Sequence, residues 1–124
     1  MEKLSNPQKT IETIKKYEFA FQKKFGQNFL IDGHVLDKII AAAEVTKEDC
    51  VVEIGPGIGT LTQYLAEAAR NVISIEIDKM LIPILQETLA DYDNVTVINQ
   101  DVLKTDLWEL VRERDGVMFP ADID

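Results

Sequence analysis

The sequence predicts an α/β fold built on a parallel sheet with helices packed against it. Three observations carry that expectation. From residue 50 onward, short β-branched runs alternate with longer amphipathic stretches. A cluster of three glycines, Gly55, Gly57 and Gly59, directly follows the first of those runs. Apolar residues make up 46% of the 124 positions, enough for a packed core. A strand–helix–strand–helix order implies right-handed crossovers and therefore parallel strands.

Taken in order, "SNPQKTIETIKKY" reads as a short helix, with Asn6 as N-cap and Pro7 in the first helical position, where its missing N–H does no harm. "EFAFQKKFGQNFLID" carries Phe19, Phe21, Phe25 and Phe29 without a clean period and is expected to be partly extended. Asp32 is placed to cap a helix over "HVLDKIIAAAEV", whose Val35, Ile39, Ile40 and Ala43 share one face. "CVVEI" is a continuous apolar run of the kind buried on both faces of a sheet. "TLTQYLAEAAR" follows as a helix with Leu61, Tyr64, Leu65 and Ala68 inward. "NVISIEID" is the second strand and "KMLIPILQETLADY" the second crossover helix, with Pro83 in its first turn and Asp78 as its cap. "NVTVINQDV" is the third strand. "TDLWELVRERDG" is a helix capped by Thr105 or Asp106 and stopped by Gly116. "VMF" near the end reads as the stub of a fourth strand.

Composition excludes several classes. One cysteine, Cys50, allows no internal disulfide, and with one histidine, His34, a zinc or haem site is not expected. No apolar run reaches the length of a membrane span, and the first ten residues lack a signal-peptide core, so a cytoplasmic location is expected. The net charge of −9 argues against a general nucleic-acid binder. Its distribution is uneven: residues 1–24 hold six Lys and three Glu, while the remaining 100 hold 7 basic and 19 acidic groups. A mildly basic arm precedes an acidic body. That arm is read either as a solvated helix face or as an RNA contact.

The glycines lie between a strand and a helix, where bare backbone lets N–H groups and a helix N-terminus approach a negatively charged ligand group. Glu76 ends the second strand 21 residues after Gly55, close to the spacing of about 20 at which a carboxylate reads ribose hydroxyls in nucleotide-binding α/β folds. Asp101 stands one strand–helix–strand step further. At the carboxyl ends of parallel strands, Gly55, Glu76 and Asp101 would line one crevice, which suits an adenosine-containing ligand. A dinucleotide loop, G-x-G-x-x-G, needs glycine at position 60, where this chain has Thr60. The G-x-G-x-G form led by Glu53 fits S-adenosylmethionine better, its anion being a carboxylate and not a diphosphate. A glycine turn without a ligand and a nicotinamide or flavin site are the alternatives.

"FGQNFLID" followed by "EIGPGIGTLT", "ISIEID" and "INQDVL" resembles the KsgA-type small-subunit rRNA adenine dimethyltransferases, from about Tyr17 to about Leu107. Resistance methyltransferases acting on large-subunit rRNA share part of this set. The resemblance implies a Rossmann-like S-adenosylmethionine-dependent methyltransferase fold, here incomplete, with about three to four parallel strands and flanking helices. Residues 1–26 are then an N-terminal helix and basic arm, and residues 27–124 a partial cofactor-binding domain. It further implies that Gln27, Asn28 and Leu30 cover the methionine end of the cofactor and that Gly55 and Gly57 lie beneath it. Glu76 would bind the ribose hydroxyls, Ile77 would pack on the adenine, and Asp101 would accept from the adenine amino group with Val102 beside it. Lys23 and Lys24 match an RNA-contacting arm weakly.

The family transfers methyl groups to an adenine N6 using an N-L-P-Y motif, whose Asn accepts from the amino group and whose Tyr stacks on the flipped-out base. No such motif occurs in this chain, where "DGVMFPADID" stands in its place. No catalytic residue is therefore assigned. The expectation is the cofactor-binding portion of an enzyme acting on small-subunit rRNA or the pre-ribosomal small subunit, inactive by itself and prone to self-association through an exposed sheet edge. A non-catalytic cofactor- or RNA-binding module and a nicotinamide-dependent Rossmann enzyme are the competing functions.

Overall fold

The structure is a computed structural model, and it describes residues 3–5, 8 and 33–115. Helix α1 (Gly33–Ala43) leads into strand β1 (Cys50–Ile54), helix α2 (Thr60–Ala68), strand β2 (Asn71–Glu76), helix α3 (Ile82–Thr88), strand β3 (Val95–Asn99) and helix α4 (Leu107–Asp115). Single 3-10 turns precede α3 (Lys79–Leu81) and follow β3 (Val102–Lys104). The three strands form one parallel sheet in the order β1-β2-β3, with Ile54 opposite Ile75 and Glu76 opposite Asn99. Apart from Ser5 and Gln8, the expected first helix lies outside the described residues, as do the aromatic segment and the strand-4 stub.

Strand β2 is the centre of the core because its residues 72–76 are all buried. Alternation sends Ile73 and Ile75 to one face, where they meet Ile98 and Leu110 of α4. Val72 points to the opposite face, against Leu65, Ala66 and Ala69. A third cluster joins Leu4, Ile58, Leu81, Ile84, Leu85 and Leu89, tying residue 4 and the glycine turn to α3.

Caps set the element ends. Asp78 accepts from the Met80 N–H at 2.9 Å, as expected for a helix cap. Asp106, and not Thr105, caps α4, accepting from the Glu109 N–H at 3.1 Å. Thr105 instead donates to the Asp101 carbonyl at 2.8 Å. Pro83 sits in the first turn of α3. Asn94 closes the end of α2 from 24 to 28 residues away, donating to the carbonyls of Ala66, Ala69 and Arg70.

Three sequence expectations are corrected. Strand β1 is half-buried and Ile54 is 59% exposed, not enclosed on both faces, because β1 has only β2 beside it among the described residues. On α1 the inward residue is Leu36, while Val35, Ile39 and Ala43 are exposed and Ile40 half-buried, so the buried face is rotated from the one the periodicity suggested. On α2 the buried set is Thr60, Thr62, Gln63, Leu65 and Ala66, with Leu61, Tyr64 and Ala68 only half-buried. Polar side chains occupy that face because each of Thr62 and Gln63 finds a hydrogen-bond partner there.

Candidate functional site

The turn between β1 and α2 carries three left-handed residues, Gly55 (φ 71°), Gly57 (φ 63°) and Gly59 (φ 96°). Only glycine adopts such a run without strain. The glycines are not equivalent. A Cβ on Gly55 would meet nothing within 4 Å, whereas a Cβ on Gly59 would lie 2.9 Å from Thr88 Oγ1 and 3.3 Å from methyls of Leu85 and Leu89. Gly59 is required by packing against α3. Gly55 leaves room for something to approach.

That room is a hollow of about 100 Å³ at the carboxyl ends of the strands, lined by Ile54, Gly55, Ile75, Glu76, Ile77, Gln100, Asp101 and Val102. Five sequence-designated positions, Gly55, Glu76, Ile77, Asp101 and Val102, therefore meet there. Gly57 joins them through its N–H, which donates to Glu76 Oε1 at 3.3 Å. Gln27, Asn28 and Leu30 lie outside the described residues.

Glu76 is 5% exposed. Its Oε1 holds Gly57 and its Oε2 accepts from the Asp78 N–H at 3.0 Å. A carboxylate offers about four lone-pair positions, so acceptor capacity remains after these two bonds. Asn99 pins the strand end, donating to the carbonyls of Glu76 at 2.8 Å and Ile77 at 3.2 Å. Ile77 is 66% exposed at the rim, an apolar side chain kept facing solvent. Asp101 lies two residues past the end of β3 and caps the following 3-10 turn through Oδ1, 3.0 Å from the Leu103 N–H.

Glu53, one residue before Ile54, accepts from Thr62 at 2.5 Å and Ser74 at 2.9 Å through the same oxygen. Burial pushes its carboxyl above the usual range, the two hydroxyls work against that, and the charge of Glu76 pushes the same way as burial. Thr60 opens α2 with a buried hydroxyl that has no hydrogen-bond partner among the described residues.

The network missed by sequence reading is polar and buried: Thr62, Gln63, Ser74 and Thr88 are each 0% exposed. Their partners lie 9 to 59 residues away, so no local pattern marks them. No group of His, Cys, Asp and Glu suited to a metal occurs among the described residues. No described helix is long and apolar enough to cross a membrane.

The family model for ribosomal RNA adenine dimethylase matches residues 18–122. This chain belongs to that family. A ribosomal RNA small subunit methyltransferase A of Lachnoclostridium phytofermentans is 64% identical over 114 residues, covering 91% of this chain and 39% of that protein. The chain thus spans about two-fifths of the length of the curated relatives it matches. Among solved structures, the 23S rRNA methyltransferase ErmE is 40% identical with a TM-score of 0.57, covering 60% of this chain and 31% of ErmE. Haemonchus contortus phosphoethanolamine N-methyltransferase 1, solved with phosphoethanolamine and S-adenosylhomocysteine, is 31% identical with a TM-score of 0.53, covering 57% of this chain and 15% of that protein. The sheet and its helices are therefore those of the Rossmann-like methyltransferases, as the resemblance implied.

Proposed function

We propose that this chain is the S-adenosylmethionine-binding portion of an rRNA adenine dimethyltransferase acting on small-subunit rRNA. One observation carries the reading. The open side of Gly55 and the buried carboxylate of Glu76 face one hollow, and Glu76 itself holds the glycine turn through Gly57. The hollow is smaller than the roughly 300–1,000 Å³ pockets that enclose whole ligands, so it suits one part of the cofactor, the adenosine.

In this reading the remaining lone pairs of Glu76 accept from the ribose hydroxyls, and Ile77 and Val102 flank the adenine. Asp101 accepts from the adenine amino group. Gly55 and Gly57 bring bare backbone to the methionine end, which Gln27, Asn28 and Leu30 cover. S-adenosylmethionine supplies an electrophilic methyl on sulfur, so the chain's own task is to bind and orient, with no metal required. Lys23 and Lys24 are the residues assigned to RNA contact, whereas Lys3 is held by Glu67 at 2.8 Å, and the location is cytoplasmic.

The chain holds no N-L-P-Y sequence to seat the acceptor adenine. Alone it is expected to bind cofactor without turnover on undermethylated small subunits. Measurable methyl transfer would overturn that division of labour. Among the described residues β1 has only β2 beside it, with Ile54 exposed, which supports association of two copies through that strand. Calorimetric titration with S-adenosylhomocysteine and with NAD tests the cofactor assignment: binding of the first alone supports it, and binding of NAD alone overturns it.

A further inference from the structure

A buried relay of hydrogen bonds reaches the glycine turn from residues that do not line the hollow. The Leu4 N–H donates to Gln63 Oε1 at 2.9 Å. Gln63 Nε2 donates to the Thr88 carbonyl at 2.9 Å, and Thr88 Oγ1 donates to the Ile58 carbonyl at 2.7 Å. Leu4, Gln63, Thr88 and Ile58 are each 0% exposed. The relay joins four parts of the chain: an N-terminal residue, the middle of α2, the last residue of α3 and the turn itself.

We propose that Thr88 and Gln63 are positioning residues for cofactor binding, acting through the Ile58 carbonyl and touching no ligand. Ile58 lies between two glycines at positive φ, whose backbones have no Cβ to confine them. A turn so free needs external holds to keep its peptide planes fixed. Glu76 supplies one, on Gly57. The Ile75 carbonyl supplies a second, accepting from the Gly55 N–H at 2.9 Å, and Thr88 supplies a third, fixing the peptide plane between Ile58 and Gly59, while Gly59 packs against the same threonine. Gln63 locks the Thr88 carbonyl, so that α2 and α3 hold the turn as one body. The inference rests on the cofactor reading above.

The test compares Thr88→Val, which keeps the shape and removes the donor, with Thr88→Ser, which keeps the donor. Val72→Ala, in the core at the far end of β2, serves as a destabilised control. Affinity for S-adenosylhomocysteine, thermal midpoint without ligand, and hydrogen exchange at residues 57–60 are measured for each. Thr88→Val is expected to weaken binding about tenfold, the size of one lost buried hydrogen bond, and to speed exchange in the turn. Thr88→Ser should stay within about twofold of the parent, and Val72→Ala should lose midpoint without losing affinity. Unchanged affinity in Thr88→Val, or equal weakening in Val72→Ala, overturns the proposal. If the parent chain binds no S-adenosylhomocysteine, the cofactor reading fails by itself. The exchange rates then decide the relay: unchanged turn protection in Thr88→Val refutes it, and faster exchange confined to residues 57–60 upholds the positioning.

Discussion

Glu76 and Gly57 are joined across the mouth of the sheet by a 3.3 Å hydrogen bond, the glycine N–H donating to Glu76 Oε1. One carboxylate thus shapes the turn and faces the hollow. With Oε2 accepting from the Asp78 N–H, both oxygens act as acceptors. Glu76→Gln would set an amide donor against one of those N–H groups. It is expected to weaken S-adenosylhomocysteine binding by roughly tenfold or more, measured by calorimetry. Affinity within error of the parent would contradict the role given to Glu76.

Alanine at the two outer glycines should separate packing from ligand approach. Gly55→Ala meets open space and is expected to cost only about 1–2 kcal/mol for its left-handed backbone, while obstructing the hollow and abolishing binding. Gly59→Ala drives a methyl into Thr88, Leu85 and Leu89 and should cost more, about 3 kcal/mol or above. Denaturant unfolding of both variants checks the order.

Replacement of Thr60 tests its buried, unpaired hydroxyl. Thr60→Val removes the unpartnered group at nearly constant shape and is expected to stabilise the ligand-free chain by about 1 kcal/mol. A loss of stability in the same unfolding assay would show that the hydroxyl has a partner in solution.

Glu53 should make stability pH-dependent in a defined direction. Burial raises its folded pKa. The native state therefore holds the proton to higher pH than the unfolded chain, and the contribution of Glu53 is greatest below its unfolded value and is lost as pH rises through the folded one. Glu53→Gln keeps an acceptor for Thr62 and Ser74 and cannot ionise. Its thermal midpoint should gain on the parent's as pH rises from 4 toward neutrality, and a gap independent of pH would refute this.

Tyr92 should titrate late. Burial, its hydrogen bond to Glu67 and the nearby charges of Glu67 and Asp91 push it up to about 12. Ultraviolet titration should show Tyr92 ionising near that value, and Glu67→Gln should bring it back toward the ordinary range. Because the folded value is the raised one, any stability tied to this proton is present below pH 10 and is lost as pH climbs past about 12.

Much of this was legible in the sequence. The β-branched runs at 50–54, 71–76 and 95–99 marked the strands, since such side chains favour extended backbone in a sheet. The place of Glu76 at the end of β2 beside the glycine turn was legible from its spacing to Gly55, and the cap Asp78, with Asp106 as one of two candidates, from their places before helices. The distinction between Gly55 and Gly59 was not, because it depends on α3 packing against the turn from 26 to 30 residues away. Gln63 and Thr88 were hidden for a related reason: a buried polar residue looks like a flaw in an apolar face until its distant partner is known. The exposure of β1 was misread because burial of a strand depends on its neighbours and not on its own composition.

The central claim is that the glycine turn and Glu76 together hold S-adenosylmethionine, and a calorimetric titration of the chain with S-adenosylhomocysteine, with NAD and with the Glu76→Gln variant in parallel tests it most directly. The account predicts saturable one-to-one binding of S-adenosylhomocysteine, none of NAD, and marked weakening in the variant. Binding of NAD in place of S-adenosylhomocysteine, or equal affinity of parent and variant, would contradict it.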